Sequence, residues 1–379
     1  MKIAFRTDAS LQMGSGHVLR CLTLADGLKA RGAQCHFISR EHPGHLLDTI
    51  RQRGFKVFSL AGNKQQAIAA TNSIANEIPT PRQEPSHAAW LGSSWQLDAS
   101  DTTAILSDLQ PDWLVVDHYA LDQRWEKALA PHYKKLMVID DLADRTHQAD
   151  LLLDQNLGRQ PQDYQALVPA SCLVLTGPRY ALLRPEFAVL RDASLKRRAT
   201  AQGKQIKQLL ITMGGVDLHN ATGAVLEALH AWEPSAYLEV TVVMGPSAPW
   251  RDQVIQQARH LPFATEVLVN AQNMGDLMCE ADLVIGAAGS TAWERCCLGL
   301  PSIQLVLAEN QRPIAYALSY AGAAHLLGCS ELITSLGILM DQLMRDPMHM
   351  LRMSTAASKL VDGMGSERVA RYLQEGLQV

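Results

Sequence analysis

Apolar and polar positions along this chain follow two alternating periods. Short apolar runs such as Trp113-Leu114-Val115-Val116-Asp117 are typical of buried strands, and between the runs apolar residues recur at helical spacing. In the first half this pattern predicts strands at 2–6, 34–39, 113–117 and 135–139, and helices near 17–31, 44–53 and 122–130. In the second half it predicts strands at 207–213, 238–244, 265–269, 282–286 and 302–307, and helices near 219–231, 251–260, 273–280, 290–299 and 311–321. The alternation predicts an α/β protein of two doubly wound domains facing a cleft.

The same pattern gives provisional domain boundaries. It predicts a first domain at 1–180, a linker at 181–204 and a second domain at 205–379 that ends in a helical tail. The run Lys196-Arg197-Arg198 within the linker is typical of a solvated surface. Between 63 and 100 the alternation breaks into a stretch rich in Ser, Thr, Gln and Pro. Two interpretations of this stretch stay open: an elaborated loop with partial helix that acts as a lid, or a mobile surface insertion.

Composition narrows the class of protein. The 379 residues are 47% hydrophobic and 19% charged, with a net charge of −4, so no electrostatic argument favours nucleic acid as a partner. No apolar run is long enough to span a bilayer, and no signal peptide precedes the first strand. The seven cysteines are scattered through apolar segments without a C-x-x-C pair. We therefore expect a cytoplasmic protein with reduced thiols and no membrane insertion.

A glycine-rich turn, Gly14-Ser15-Gly16, joins the first predicted strand to the first helix, and His17 follows it directly. In open α/β sheets, ligands bind where strands end and helix N-termini point outward. The third glycine of the dinucleotide pattern is replaced by Leu19, which disfavours classical dinucleotide binding. His17 can transfer a proton near neutral pH, so a catalytic role is favoured over a structural one.

Two strand-to-helix turns of the second half resemble ligand sites. Gly214-Gly215 offers backbone N–H groups to an anion, and we also expect Asp217 or Asn220 to cap the next helix, which is compatible with a phosphate site. The second turn runs from Gly286 into Ser290 and Thr291, whose helix start can hold phosphate, and Glu294 can reach the hydroxyls of a ribose. A capping box between Thr291 and Glu294 is the alternative.

Further polar residues follow predicted strands. The amides Asn310 and Gln311 open the next helix and suit hydrogen bonding to a polar ligand. Asp117-His118-Tyr119 ends the third predicted strand of the first half, and Asp140-Asp141 ends the fourth. For Asp141 we favour a turn-forming role. No histidines have the spacing of a metal site, so no metal and no cofactor are expected.

These motifs occur in an order that resembles a known family. They are R-x-D-x-S and G-x-G-H-x-x-R at 6–20, D-H-Y at 117–119, I-D-D-L-A-D-R at 139–145, Y-A-L-L-R-P-E-F at 180–187, M-G-G-x-D at 213–217, and A-G-S-T-A-W-E followed by E-N-Q at 288–311. The ordered set is similar to the UDP-sugar hydrolases of pseudaminic acid biosynthesis, which are relatives of the GT-B glycosyltransferases. The resemblance implies a GT-B-like fold of two Rossmann-like domains.

The resemblance also implies roles for individual residues. His17 takes the place of the catalytic base that activates water against the anomeric carbon, with inversion. Tyr119 falls near the hydrolysed bond, and Glu294 and Asn310 fall on nucleotide-binding motifs. The implied reaction splits UDP-2,4-diacetamido-2,4,6-trideoxy-β-L-altropyranose into UDP and the free sugar. The implied substrate-binding residues are Asp8, Gly16, Tyr119, Gly214, Gly215, Ser290, Thr291, Glu294, Asn310 and Gln311.

Two other functions stay open. A UDP-sugar-dependent GT-B glycosyltransferase would share fold and nucleotide site with a hydrolase. The chain shows no apolar or basic cluster in the first domain for a membrane-bound acceptor, which favours hydrolysis. A non-catalytic sugar-nucleotide binding module needs no proton-transfer group, so His17 argues against it.

Overall fold

The computed structural model describes residues 1–62, 84–200, 206–233 and 237–375. They form two compact units, each built around one parallel β-sheet. The first unit contains residues 1–154, 159–176 and the chain from Glu367; the second contains 155–158 and 177–366. The predicted pair of doubly wound α/β domains is confirmed. Part of the broken stretch, 63–83, and residues 201–205 of the expected linker lie outside the described residues.

The first sheet has seven parallel strands in the order β3-β2-β1-β4-β5-β6-β7. Its strands are β1 Lys2–Thr7, β2 Gln34–Arg40, β3 Lys56–Leu60, β4 Trp113–Asp117, β5 Lys135–Ile139, β6 Leu151–Asp154 and β7 Leu173–Thr176. The helices of this unit are α1 Gly16–Ala30, α2 Leu47–Gln52, α3 Trp95–Leu109, α4 Gln123–Leu129 and most of the C-terminal helix, Gly365–Glu375. The strand order reverses between β1 and β4, and ligands of doubly wound sheets bind at such a point.

The second sheet has six parallel strands in the order β10-β9-β8-β11-β12-β13. Its strands are β8 Gln208–Thr212, β9 Glu239–Met244, β10 Ala264–Val269, β11 Leu283–Ala287, β12 Ser302–Leu305 and β13 His325–Leu327. Its helices are α5 Pro185–Thr200, α6 Ala221–His230, α7 Arg251–Ala258, α8 Met274–Glu280, α9 Thr291–Cys297, α10 Arg312–Tyr320, α11 Leu332–Arg345 and α12 Pro347–Leu360. Here the order reverses between β8 and β11.

Both faces of the second sheet are buried. Leu209 and Ile211 of β8 belong to one apolar cluster, while Leu210, between them, belongs to another that includes Trp293. Successive side chains of a strand point to opposite faces, so a strand covered on both sides becomes a continuous apolar run. This is why β4, β8 and β11 were predictable from sequence.

Several elements were not predicted. The strands β3, β7 and β13 lie at sheet edges and are only partly buried, so burial on both faces does not impose a continuous apolar run on them, and the central strand β6 was missed as well. A helix, α5, occupies most of the expected linker. The interpretation of Lys196-Arg197-Arg198 as solvated is wrong for Arg198. Its guanidinium is buried and donates to the carbonyl oxygens of Met278, Ala281 and Leu298 at 2.8–3.0 Å.

Candidate active site

His17 lies at the reversal point of the first sheet. After β1 the chain turns through Gly14, whose φ of +76° is in the left-handed region that favours glycine. The helix α1 begins at Gly16 and places His17 in its first turn. The imidazole Nδ1 lies 2.6 Å from Oδ1 of Asp117, the last residue of β4, and the side chain is 9% exposed. The end of β4 and the first turn of the helix that follows β1 therefore each contribute one member of this pair.

Asp117 fixes the tautomer of His17. A carboxylate can only accept a hydrogen bond, so Nδ1 carries the proton and Nε2 has the free lone pair. Burial by itself raises the pKa of Asp117, but the charges of Arg20 and His17 outweigh it and lower this pKa below its usual range. Arg20 donates to both Asp117 oxygens, at 2.6 and 2.7 Å. No described residue hydrogen-bonds His17 Nε2, so that nitrogen is available to a water molecule.

Tyr119 and Asp141 complete this cluster. The Tyr119 hydroxyl donates to Asp141 Oδ2 at 2.7 Å, and Arg20 Nη1 donates to the same oxygen at 2.7 Å. The Tyr119 ring meets the His17 ring edge-on, with centroids 4.5 Å apart. The turn-forming role favoured for Asp141 is therefore wrong, because its carboxylate joins Arg20 to Tyr119. The neighbouring Asp140 points elsewhere and pairs with Arg145 at 2.8 Å.

Asp8 lies in a buried network rather than at an open surface. Its carboxylate pairs with Arg6, accepts from the Arg40 backbone N–H at 2.7 Å, and lies 3.2 Å from His118 Nε2. Arg6 in turn pairs with Asp98, and both are fully buried. With no exposed surface, Asp8 has access to these partners and not to a substrate in this structure. Its contribution is to hold the end of β1 that leads into the turn before His17.

The turn after β8 contains the predicted caps. Asp217 accepts from the backbone N–H groups of Ala221 and Thr222, at 2.8 and 2.9 Å. Asn220 accepts from the backbone N–H of Gly223 at 3.1 Å and has a left-handed backbone. The capping interpretation of both residues is confirmed. Gly214, with φ +90°, precedes them, and the contact of Gly214-Gly215 with an anion stays a prediction.

The turn after β11 is adjacent, because β8 and β11 pair directly. The helix α9 begins at Thr291 after Ser290, and no side chain caps this helix start. The capping box that was the alternative role of Glu294 is therefore not formed. Instead Glu294 is 16% exposed, with its Oε1 3.6 Å from Arg184 Nη2. Burial raises the Glu294 pKa to about 7, although the Arg184 charge opposes the rise.

The amides at the next helix have different environments. Gln311 accepts from the Leu307 backbone N–H at 3.0 Å, so its oxygen holds the turn after β12. Asn310 is half-buried in the short helix Glu309–Gln311 that precedes α10. The predicted residues of each unit are thus brought to the carboxyl ends of that unit's strands. Their contact with a nucleotide sugar stays a prediction.

Three groups of residues were missed from sequence. Asp98 of α3 joins Arg6 to Arg40, at 2.7 and 2.8 Å. Arg295 is fully buried, donates to the Ala287 carbonyl at 2.8 Å and packs against Gly286, and its burial lowers its pKa to about 10. The rings of His87 and Trp90 pack next to Tyr119. Sequence reasoning predicts site residues from motifs with the spacing of known sites, and none of these residues belongs to such a motif.

Metal ligands and thiols were also surveyed in the structure. Within the described ranges no three His, Cys, Asp or Glu side chains converge as a metal site requires. All seven cysteines are free thiols. None of the helices described has both the length and the apolar character needed to cross a bilayer.

Comparisons with known proteins place the fold. Residues 208–367 match the glycosyltransferase family 28 C-terminal domain. The structure of MurG from Acinetobacter baumannii superposes with a TM-score of 0.69 at 16% identity, covering 99% of both chains. The chain has the GT-B fold. UDP-GlcNAc 2-epimerase of Neisseria meningitidis, solved with UDP-GlcNAc bound, superposes with a TM-score of 0.53 at 14% identity, covering 99% of this chain and 100% of that one.

Sequence relatives of this GT-B chain confirm the resemblance given by its motifs. The UDP-2,4-diacetamido-2,4,6-trideoxy-β-L-altropyranose hydrolase of Campylobacter jejuni is 24% identical over 85% of this chain and 97% of its own length. Protein MJ1062 of Methanocaldococcus jannaschii is 26% identical over 82% of this chain. The spore coat polysaccharide biosynthesis protein SpsG of Bacillus subtilis is 28% identical over 55%. The matches span 57% of MJ1062 and 60% of SpsG.

Proposed function

We propose that this GT-B chain hydrolyses UDP-2,4-diacetamido-2,4,6-trideoxy-β-L-altropyranose to UDP and 2,4-diacetamido-2,4,6-trideoxy-L-altrose. The observation that carries the proposal is the His17–Asp117 pair, which leaves Nε2 as a base at the reversal point of the first sheet. The similarity to the Campylobacter jejuni hydrolase over nearly its full length supports the choice of substrate. The product would serve pseudaminic acid biosynthesis.

The chemistry needs one base and a good leaving group. Nε2 of His17 takes a proton from water as the water oxygen bonds to the anomeric carbon, and the C–O bond to UDP breaks with its electron pair leaving on the diphosphate. Asp117 stabilises the imidazolium that forms, as an acidic partner does for a catalytic histidine. The anomeric centre passes through an oxocarbenium-like state, and a single displacement inverts its configuration. Since UDP leaves readily, this scheme needs no general acid.

We assign nucleotide binding to the second unit. Backbone N–H groups at Gly214, Gly215, Ser290 and Thr291 would meet the diphosphate, because strand-to-helix turns present donors to anions. Glu294, Asn310 and Gln311 would hold the uridine. A carboxylate such as Glu294 accepts hydrogen bonds from ribose hydroxyls in nucleotide sites.

A UDP-sugar-dependent glycosyltransferase is the second candidate. The match of residues 208–367 to the glycosyltransferase family 28 C-terminal domain favours it. Both reactions use one nucleotide site and one base in the first unit. They differ in the nucleophile, which is water in one and an acceptor hydroxyl in the other.

The deciding experiment measures products without an acceptor. The protein is incubated with the altrose-configured sugar nucleotide, and separately with UDP-GlcNAc, in ¹⁸O-enriched water. Hydrolysis at carbon puts the label in the sugar and none in UDP, with the inverted anomer formed first. Label in UDP means attack at phosphorus, and UDP release only after an acceptor is added means a transferase.

His17 is tested in the same assay. The His17→Asn variant should turn over at least about a hundredfold more slowly, because a general base contributes that much or more. Its affinity for UDP, measured by calorimetry, should stay within about threefold, since a change confined to the chemical step leaves ground-state binding intact. Near-normal turnover in this variant excludes His17 as the base.

A further inference from the structure

Three aromatic rings that contact one another, those of His87, Trp90 and Tyr119, lie next to His17. The edge-on contact between His17 and Tyr119 is followed by Trp90, whose ring centroid lies 5.9 Å from that of Tyr119 with an angle of 31° between the planes. His87 touches both, at 5.4 Å from Tyr119 and 4.5 Å from Trp90. We call His87, Trp90 and Tyr119 the aromatic wall. Through Tyr119 it contacts the ring of the proposed base.

The segment that contributes His87 and Trp90 is held at both ends. Ser86 donates to Asp144 at 3.0 Å, and its hydroxyl lies 3.0 Å from His87 Nδ1. At the other end Leu91 is buried in the core beneath the first sheet. These anchors fix the short helix Ala88–Leu91, so the two rings have defined positions beside Tyr119. A fixed ring costs less entropy on binding than a mobile one.

Two residues of the aromatic wall are more exposed than a tryptophan that only packs in the core. Trp125, in the same unit, is fully buried and donates its indole N–H to Asp98 at 3.0 Å. Trp90 and His87 are only half-buried, so part of each ring remains open to a ligand. Aromatic rings in binding sites take up apolar groups, while a few polar groups fix orientation.

We propose that the aromatic wall is the sugar subsite, and that Trp90 and His87 determine specificity for sugars with methyl and acetamido groups. This rests on the proposed function, because the sugar is taken to be the one attached to UDP. A 2,4-diacetamido-2,4,6-trideoxy sugar has three methyl groups, two in acetamido groups and one at carbon 6. UDP-GlcNAc has one methyl group and more hydroxyls, so it gains less from apolar rings and leaves more hydroxyls to be satisfied.

Trp90→Ala and Trp90→Phe test the wall. For the altrose-configured sugar nucleotide, kcat/KM should fall about tenfold or more in Trp90→Ala and recover to within about threefold of wild type in Trp90→Phe, since an aromatic contact in a site has that worth. In Trp90→Ala the ratio of kcat/KM for the altrose-configured sugar nucleotide to kcat/KM for UDP-GlcNAc should fall as well. Inhibition by UDP alone should not change, because the wall is assigned to the sugar.

Trp95→Ala is the matched control. Trp95 is also half-buried and close in sequence, but its ring packs on the apolar core and under the Arg124 guanidinium rather than against Tyr119. This variant should lose stability and keep the preference between the two sugars. If Trp95→Ala changes the preference as Trp90→Ala does, the wall is a packing element and the proposal is wrong.

Binding separates this proposal from the proposed function. In a His17→Asn background, the affinity ratio between the altrose-configured sugar nucleotide and UDP isolates the contribution of the sugar. If this affinity ratio falls in Trp90→Ala but the wild-type protein hydrolyses nothing, the sugar subsite is supported and the proposed hydrolysis is wrong. Hydrolysis by wild type with an unchanged ratio in Trp90→Ala rejects the subsite and keeps the reaction.

Discussion

The Asp117 carboxylate contacts both His17 and Arg20 and has a separate role in each contact. It holds the proton of His17 on Nδ1 and neutralises the buried Arg20. Because the charges of Arg20 and His17 outweigh burial and lower the Asp117 pKa, this carboxylate stays ionised throughout the range in which an enzyme works. The carboxylate is therefore present as a hydrogen-bond acceptor for His17 Nδ1 throughout that range.

Replacing Asp117 should change the tautomer of His17. In Asp117→Asn the amide can donate to Nδ1, which favours the tautomer with the proton on Nε2, and that nitrogen can no longer accept a proton from water. Turnover should fall about a thousandfold or more, by analogy with the loss of the acidic member of a catalytic triad. Steady-state kinetics measure this, and calorimetry should show UDP affinity unchanged. Asp141→Asn, which keeps the His17–Asp117 contact, is the control and should lose less.

Burial of the Glu294 carboxyl lowers the stability of the folded protein when that carboxyl is ionised. With its pKa raised to about 7, the folded protein retains a proton that the unfolded chain releases above pH 4.5. The free energy of unfolding therefore decreases as pH rises from about 4.5 to about 7, and the full cost is present above pH 7. Glu294→Gln removes this cost and should be more stable at pH 8, by at most about 3 kcal/mol, but not at pH 4.

Urea denaturation of Glu294→Gln and wild type at the two pH values measures this difference. UDP affinity, measured by calorimetry at pH 8, should fall by about 1–3 kcal/mol in Glu294→Ala, because the ribose hydroxyls lose their acceptor. A Glu294→Gln variant no more stable than wild type at pH 8 would show that Arg184 already compensates the charge.

Among elements, α3 contacts the first sheet through the buried carboxylate of Asp98 as well as through the apolar packing of Ala99 and Leu106. Asp98 pairs with Arg6 of β1 and Arg40 of β2, and also accepts from Trp125 of α4. The neighbouring Asp101 lies on the same helix, 3.6 Å from Arg40, but its side chain is 38% exposed. Comparing variants of the two aspartates therefore distinguishes the contribution of a buried ion pair from that of an exposed one.

Asp98→Asn should lower the free energy of unfolding by about 3–5 kcal/mol, because it removes the one buried carboxylate that Arg6 and Arg40 share. Among the described residues Arg6 then retains only Asp8 as a counter-charge, and Arg40 only the more exposed Asp101. Asp101→Asn should change it by less than about 1 kcal/mol, since exposed ion pairs contribute little. Chemical denaturation followed by circular dichroism measures both. Equal losses in the two variants would mean that Asp98 does not hold the helix.

Two glycines near the junction of β11 and α9 have different requirements, Gly286 within the strand and Gly289 in the turn that follows it. A Cβ on Gly286 would contact the Arg295 guanidinium and come within 2.8 Å of the Thr212 carbonyl oxygen, whereas a Cβ on Gly289 meets only Gln311, at 3.8 Å. Gly286→Ala should therefore cost about 1–3 kcal/mol of stability as an overpacked core position does. Gly289→Ala should fold normally, and it tests whether a ligand approaches that backbone.

Thermal unfolding with and without UDP distinguishes the two glycines. If the turn binds the diphosphate, Gly289→Ala keeps the melting temperature of the free protein and loses the increase that UDP gives to wild type. An unchanged increase in that variant would place the diphosphate elsewhere.

At the scale of the whole molecule, each unit has candidate residues at the reversal point of its own sheet. In the first unit these are His17 and Asp117, and in the second they are the turns after β8 and β11 together with Glu294. We expect turnover to be unaffected by excess chelator, because backbone N–H groups at the two turns of the second unit are assigned the charge of the diphosphate. Activity lost in chelator and restored by magnesium contradicts that assignment. The same assay after dialysis, without chelator, controls for inhibition by the chelator itself.

The sequence by itself determined the class of fold, the strands β1, β2, β4, β5, β8, β9, β10, β11 and β12, and the glycine turn that precedes His17. These are local features: a fully buried strand is a continuous apolar run, and a turn residue lies next to the strand it ends. The strands β3, β7 and β13 are partly exposed at sheet edges, so no continuous apolar run is imposed on them and their pairing in the sheet defines them.

Tertiary structure decided the partners. Asp117 is 100 positions from His17, and Asp98 is 92 positions from Arg6. No periodicity connects such residues, because contact between them follows from strand order and from the buried charges that must find counter-charges. The same holds for Asp141, which its sequence neighbours suggest is a turn residue and which the fold brings to Arg20 and Tyr119. Local pattern specifies elements, and the energy of burying charge and aromatic surface between distant elements specifies the site.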